Sequence, residues 1–202
     1  MQKKLKILLA SQNPGKLREL QAILQDLPIQ LITPAELGVQ LDVAETGSTY
    51  AENAALKSEA YAKESGLIAL ADDSGLEVDA LNGAPGLYSA RYAPAPNATD
   101  ADRRAYLLQN LLPHPRPWIA RFRATIAITL PGGETHFAEG ACEGEIIPEE
   151  RGNGGFGYDP IFYIPEAGCT MAELPEDEKN RISHRARALE KAKETLTLLL
   201  DQ

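Results

Sequence analysis

Cysteine, histidine and tryptophan are scarce in this chain: two, three and one, respectively, among 202 residues. Two cysteines, Cys142 and Cys169, make no disulfide framework. No Cys or His spacing suggests a zinc site. Positive charge is also short. Twenty Lys and Arg face 29 Asp and Glu, for a formal net charge of −9. Phosphate neutralisation supplies most non-specific nucleic-acid affinity, so such a binder is excluded. A small anionic ligand stays open, because a local cluster of donors can hold it against the global field. Long apolar runs are missing too, and none could span a membrane. The basic start, Met1 to Lys6, precedes an apolar stretch at residues 7–10 that is too short for a signal peptide. The expected compartment is therefore the cytoplasm, with both thiols reduced. There is no internal repeat, low-complexity tract or obvious linker.

What is present is ordinary globular protein, 44% hydrophobic and 24% charged. A chain of this length forms one domain or two closely packed lobes with ample core, and a single domain over 1–202 is expected. Residues 5–10 read as a buried strand, 11–16 as a polar turn, and 17–25 as a helix with Pro14 near its start. Residues 29–32 suggest a short strand. Ser48 or Thr49 caps an alanine-rich helix from Tyr50 to Lys63, which Gly66 ends. Residues 67–71 read as a second buried strand, broken by Asp72, Asp73, Ser74 and Gly75, with another short strand at 76–81. Residues 82–97 read as an ordered loop and 100–112 as a helix. Strands at 119–130 and 135–147 make a hairpin around Pro131, Gly132 and Gly133. One helix is expected over 176–200, with Ile182, Leu189, Ala192, Leu196 and Leu199 on its inner face. Strand–helix units followed by a hairpin and more helix indicate α/β with a mixed sheet.

Four segments carry candidate chemistry. Ser11, Gln12, Asn13, Pro14, Gly15 and Lys16 lie between a strand and a helix, where helix-start amides and the Lys16 ammonium suit a phosphate. The segment is not a Walker A loop, and a plain turn with a solvated lysine is the alternative. Asp72 and Asp73 follow a buried apolar strand, a costly place for two carboxylates unless something positive is near. Mg²⁺ takes one or two carboxylates plus phosphates and waters. Neighbouring side chains on a strand point to opposite sides, so one carboxylate faces the reaction while the other buttresses. An Asx-type turn is the alternative. In Arg151 to Asp159, four glycines surround Phe156 and Tyr158. Phe156 suits stacking on a base and Asp159 suits accepting from it; a tight loop with Phe156 in the core is equally open. Lys179, Ser183, His184 and Arg185 read by themselves as a capped, solvated helix start. Glu45 and Lys57 carry little signal alone.

Taken in order, these segments resemble the inosine triphosphate pyrophosphatases. The matches are residues 11–16, Glu45-Thr46-Gly47, Glu52-Asn53-Ala54, residues 71–76, Gly83-Ala84-Pro85-Gly86, residues 88–92, residues 154–160 and Ser183-His184-Arg185. They span nearly the whole chain; each is weak, but the ordered set is specific. The family's opening motif more often starts Thr-Gly-Asn, so Ser11-Gln12 departs from it, while Asn13 and Lys16 are kept. The resemblance implies an elongated mixed β-sheet flanked by helices, two lobes with a central cleft, and a homodimer. It implies Mg²⁺ held by Glu45 and Asp73, with Asp73 also the proton acceptor. It places the nucleotide on residues 11–16, Ser74, Phe156, Gly157, Tyr158, Asp159, Lys179, His184 and Arg185, with Lys57 on a phosphate.

The implied reaction converts a non-standard purine nucleoside triphosphate (ITP, dITP or XTP) to monophosphate and pyrophosphate. Asp159 would accept from N1–H of the base and Arg185 would donate to its 6-keto oxygen. A pyrophosphatase for modified pyrimidine nucleotides is the competing enzyme. A catalytically silent nucleotide sensor is the competing binder, and it would not need Glu45 and Asp73.

Overall fold

Leu5–Leu9, apolar except for Lys6, form strand β1, whose last three side chains are fully buried. The computed structural model describes residues 4–200, so Met1 to Lys3 of the basic start lie outside the described residues. Strand β2 (Ile29–Ile32) pairs parallel to β1, with Ile7 opposite Leu31. On its other side β1 pairs parallel to β3 (Ile68–Val78), with Ile7 opposite Ile68 and Leu9 opposite Leu70. Strands β4 (Trp118–Thr129) and β5 (Thr135–Ile146) are the expected hairpin, closed where Leu130 N–H donates to the Glu134 carbonyl at 2.8 Å. Strands β6 (Phe162–Ile164) and β7 (Cys169–Thr170) follow by antiparallel pairing. The result is one seven-stranded mixed sheet in the order β2-β1-β3-β4-β5-β6-β7.

Helix α1 (Pro14–Leu24) starts at Asn13, whose side chain caps it, with Pro14 at the first helical position. A one-turn helix α2 (Pro34–Leu37) carries a capping box between Thr33 and Glu36. Helix α3 (Tyr50–Ser65) is capped by Thr49 and ends on Gly66, whose φ of +67° suits glycine. Helix α4 (Asp100–Leu111) starts from a Thr99–Asp102 capping box. Helices α5 (Glu176–Ile182) and α6 (His184–Leu200) close the chain. Among the described residues no helix is long and apolar enough to cross a membrane.

The residues group into two compact units. The first holds the chain up to Asp73, Ala124–Gly140 and the residues from Arg185 on; the second holds Ser74–Arg123 and Ala141–His184. Each has its own apolar core. In the first unit Ile7, Leu9, Leu20, Leu70 and Ile126 pack with Leu189, Ala192 and Leu196. In the second, Leu76, Leu107, Leu111, Trp118, Ile161 and Phe162 pack together.

Three expectations are corrected here. Strand β3 runs unbroken through Asp72, Asp73, Ser74 and Gly75, because ion pairing removes the charge cost that made this stretch read as a break. Asp79–Leu81 is a 3₁₀ turn rather than strand, and another 3₁₀ turn, Gly86–Arg91, lies within the expected loop. The C-terminal helix is two helices. Ser183 between them is extended, with φ −65° and ψ 161°. Ile182 packs on the second unit's core and Leu189 in the first unit's, so the five apolar positions do not share one face.

Candidate active site

In the first unit, chemistry gathers around Asp72. The turn before α1 is built by its own side chains. Ser11 Oγ accepts from Asn13 N–H at 3.2 Å, and Asn13 Oδ1 accepts from Gly15 N–H at 2.9 Å and Lys16 N–H at 3.1 Å. Gln12 donates to the Leu41 carbonyl at 3.0 Å. The helix-start amides assigned to a phosphate are therefore already capped at Gly15 and Lys16. What the turn contributes is the Lys16 ammonium. It sits 2.8 Å from Asp72 Oδ2 and 3.3 Å from the Asp72 carbonyl.

Lys57, on α3, donates to that same carbonyl at 3.0 Å, to Glu45 Oε1 at 2.8 Å and to Asp73 Oδ1 at 3.1 Å. One backbone oxygen thus draws two ammonium groups to one place. Burial works against the Lys57 charge, but Asp73 and Glu45 outweigh it and raise its affinity for the proton. Burial pushes the Asp73 carboxyl up, with Glu45 adding to the rise and Lys57 and Lys16 opposing it. An acid tuned upward suits proton acceptance near neutrality better than an unperturbed one.

Asp72 behaves oppositely. Burial alone would raise it, yet Arg185 and Lys16 hold its carboxyl well below the usual carboxylate range. Arg185, 1% exposed, donates to Asp72 Oδ2 through Nη2 at 3.0 Å and Nε at 3.3 Å, and to Glu19 through Nη1. The two adjacent carboxylates therefore divide as the strand alternation predicts, Asp72 inward to Arg185 and Lys16, Asp73 to Lys57. Arg185 is therefore not the solvated helix-start residue it reads as by itself: it is buried, and its charge serves two carboxylates of its own unit. Glu19 was missed altogether. Its only signal is an acid between Lys16 and Leu20 on an apolar helix face.

The residues fit Mg²⁺ in a limited way. Glu45 and Asp73 already converge on one cationic group, Lys57. Among the described residues no group of three or more His, Cys, Asp or Glu is arranged to hold a metal. Two carboxylates with the remaining positions left to phosphates and water is the Mg²⁺ pattern, not that of a closed structural site.

In the second unit, the glycine-rich loop is organised by Asp159. Its Oδ2 accepts from Phe156 N–H at 2.8 Å and from Lys179 Nζ at 2.7 Å. The Lys179 ammonium lies 4.9 Å from the centre of the Phe156 ring, a cation–π contact. Phe156 is half-buried and stands outside the apolar core, which favours a platform over a packing residue. A Cβ at Gly155 would collide with the Asp159 carboxylate, so only glycine allows this turn. His184 is buried and stacks on Phe122 at 4.7 Å. Ser74 is half-buried on β3. Tyr158 is 4% exposed and lies in the core, where its hydroxyl donates to the Ser89 carbonyl at 2.9 Å. Lys179 and Ser183, read by themselves as solvated, are buried.

An α/β protein with a carboxylate–lysine cluster just past the end of β1 is the class these features define. The chain matches the model of the Ham1 family over residues 7–195 and belongs to that family. It is 50% identical to the dITP/XTP pyrophosphatase of Desulforamulus reducens over 96% of this chain and 97% of that one. It is 50% identical to the protein of that description from Thermus thermophilus over 92% and 88%. The structure of a HAM1 protein from Coxiella burnetii superposes with a TM-score of 0.87 at 49% identity, covering 96% of this chain and 98% of that one.

Proposed function

We propose that this protein hydrolyses non-standard purine nucleoside triphosphates, ITP, dITP and XTP, to the monophosphate and pyrophosphate. The observation that carries the reading is the convergence of Lys16 and Lys57 on the Asp72 carbonyl, with Glu45 and Asp73 both meeting on Lys57. Family membership narrows the substrate. A water oxygen forms the new bond to the α-phosphorus, the bond to the bridging oxygen breaks, and pyrophosphate leaves. Asp73 takes the proton from that water. Lys16 and Lys57 offset charge on the departing phosphates. Glu45 and Asp73 would hold Mg²⁺, which when bound supplies further charge neutralisation at the triphosphate. Phe156 supports the base, Asp159 accepts from its N1–H, and Lys179 takes over from Arg185 as donor to the 6-keto oxygen. The same reading includes a homodimer and a cytoplasmic location. Sedimentation at micromolar concentration tests the first.

With ITP and Mg²⁺, pyrophosphate and inosine monophosphate should appear in equal amounts, and chelator should abolish turnover. Release of orthophosphate from the γ position would refute the assigned reaction. Asp73→Asn keeps the side chain's shape and removes its charge. Turnover should fall at least about a hundredfold, the scale of one general-base contact, while the variant still folds. A variant with near-normal turnover would show that Asp73 is neither base nor metal ligand.

A further inference from the structure

Gly157 is held from both sides by one helix. Its N–H donates to Asp100 Oδ2 at 2.8 Å, and its carbonyl accepts from Arg104 Nη1 at 2.9 Å. Asp100 and Arg104 are four apart on α4 and so lie on one face of it. Each is fixed in turn. Asp100 pairs through its other oxygen with Arg103, which donates to the Ala98 carbonyl at 2.6 Å. Arg104 makes a two-pronged pair with Glu150, Nε at 2.8 Å and Nη2 at 2.9 Å. The helix itself does not shift easily: the Thr99–Asp102 box closes its start, and Leu107 and Leu111 are fully buried in the unit's core.

The consequence falls on Phe156. The peptide group before this residue is bonded to Asp159 and the one after it to Asp100. Gly157 adopts φ +62°, and a Cβ there would meet nothing within 4 Å. Backbone angle, not space, demands glycine at this position. Asp159 and, from α4, Asp100 therefore hold the two planes from which the ring projects, with Arg104 holding the peptide after them, and charge-assisted bonds are the stronger kind.

We propose that Asp100 and Arg104 are positioning residues for base recognition, gripping the Gly157 backbone so that α4 sets the pose of the Phe156 ring. This rests on the reading of Phe156 as the base platform. It adds two residues on α4 that touch no substrate but decide how well the platform is preorganised.

The test compares Asp100→Ala with Asp100→Asn, which keeps an acceptor oxygen, each alone and combined with Phe156→Leu. Three quantities are read: kcat and KM for ITP, the Kd of ITP in chelator by calorimetry, and amide exchange across residues 154–158. Asp100→Ala should raise KM and Kd about tenfold, the scale of one lost charged hydrogen bond. Its kcat should stay within about twofold and its exchange should speed up at Gly157. Asp100→Asn should recover most of the loss, and in the Phe156→Leu background the Asp100→Ala effect should nearly vanish. Arg104→Met should act like Asp100→Ala. Faster exchange with unchanged Kd would reduce the grip to a structural contact and overturn the proposal. So would an equal loss with and without Phe156. If the unaltered protein binds ITP without turning it over, the pyrophosphatase reading fails, and the grip is decided by Kd and exchange alone.

Discussion

ITP is expected to show a kcat/KM about a thousandfold above that of ATP, the scale set when two buried polar contacts meet the wrong partner. Hypoxanthine and xanthine present a 6-keto acceptor and an N1–H donor. Adenine presents a 6-amino donor and an N1 acceptor. An ammonium only donates and a carboxylate only accepts, so adenine would set Lys179 against an amino group and Asp159 against a lone pair. Both side chains are nearly fully buried, where a mismatched polar pair finds little water to relieve it. Guanine shares both 6-keto and N1–H, so these two contacts predict no discrimination against GTP. Initial rates with the inosine, xanthosine, guanosine and adenosine triphosphates, repeated on Lys179→Met, decide the matter. Lys179→Met should lower the rate with ITP and shrink its advantage over ATP. Equal rates for ITP and ATP, or a Lys179→Met variant that keeps the full ratio, would remove the base-reading assignment.

The second large effect is on stability. Arg185→Ala should destabilise the protein by about 3–5 kcal/mol, because it leaves buried Asp72 and Glu19 without their shared counter-ion. At about 2–4 °C per kcal/mol for a chain of this size, the melting temperature should drop by roughly 6–20 °C. Arg185→Lys keeps the charge but not the planar fork, so it should fall between. The pH dependence gives a sharper check. The native Asp72 carboxyl lies below its unfolded value, so its contribution is fully present above the unfolded pKa of about 3.9 and fades as pH falls toward the native value. In Arg185→Ala, burial with less compensation pushes that carboxyl up, and protonation then relieves the strain. The stability gap between the two proteins should be widest near neutrality and should narrow below about pH 4. A gap constant with pH, or melting within about 2 °C of the unaltered protein, would show that Arg185 is not the counter-ion.

Much of the architecture was legible because local chemistry states it. The apolar run at β1, the Pro131-Gly132-Gly133 turn between β4 and β5, Pro14 near the start of α1, and Thr49 and Gly66 around α3 each point to one element without outside help. The order of strand–helix units followed by a hairpin also implied the mixed sheet. The candidate site is read from an ordered set of motifs; strand alternation says only that Asp72 and Asp73 point to opposite sides, and the choice of Asp73 for the reaction comes from the resemblance.

Tertiary structure decided what depends on partners remote in sequence. Asp72 and Arg185 are separated by 113 positions. Without that pairing, two acids and a glycine read as a strand break; with it, β3 continues through them. Ser183 interrupts the C-terminal helix with no glycine or proline to announce it, because the residues on either side pack into different cores. Tyr158 has the same motif signal as Phe156, yet one lies in the core and the other outside it, a difference no local pattern encodes. The sequence by itself therefore determined the elements and the chemical inventory, since both rest on interactions within a few residues. Which charges are spent within the protein and which are kept for a ligand was set only when distant segments met, because burial and pairing exist only in the folded chain.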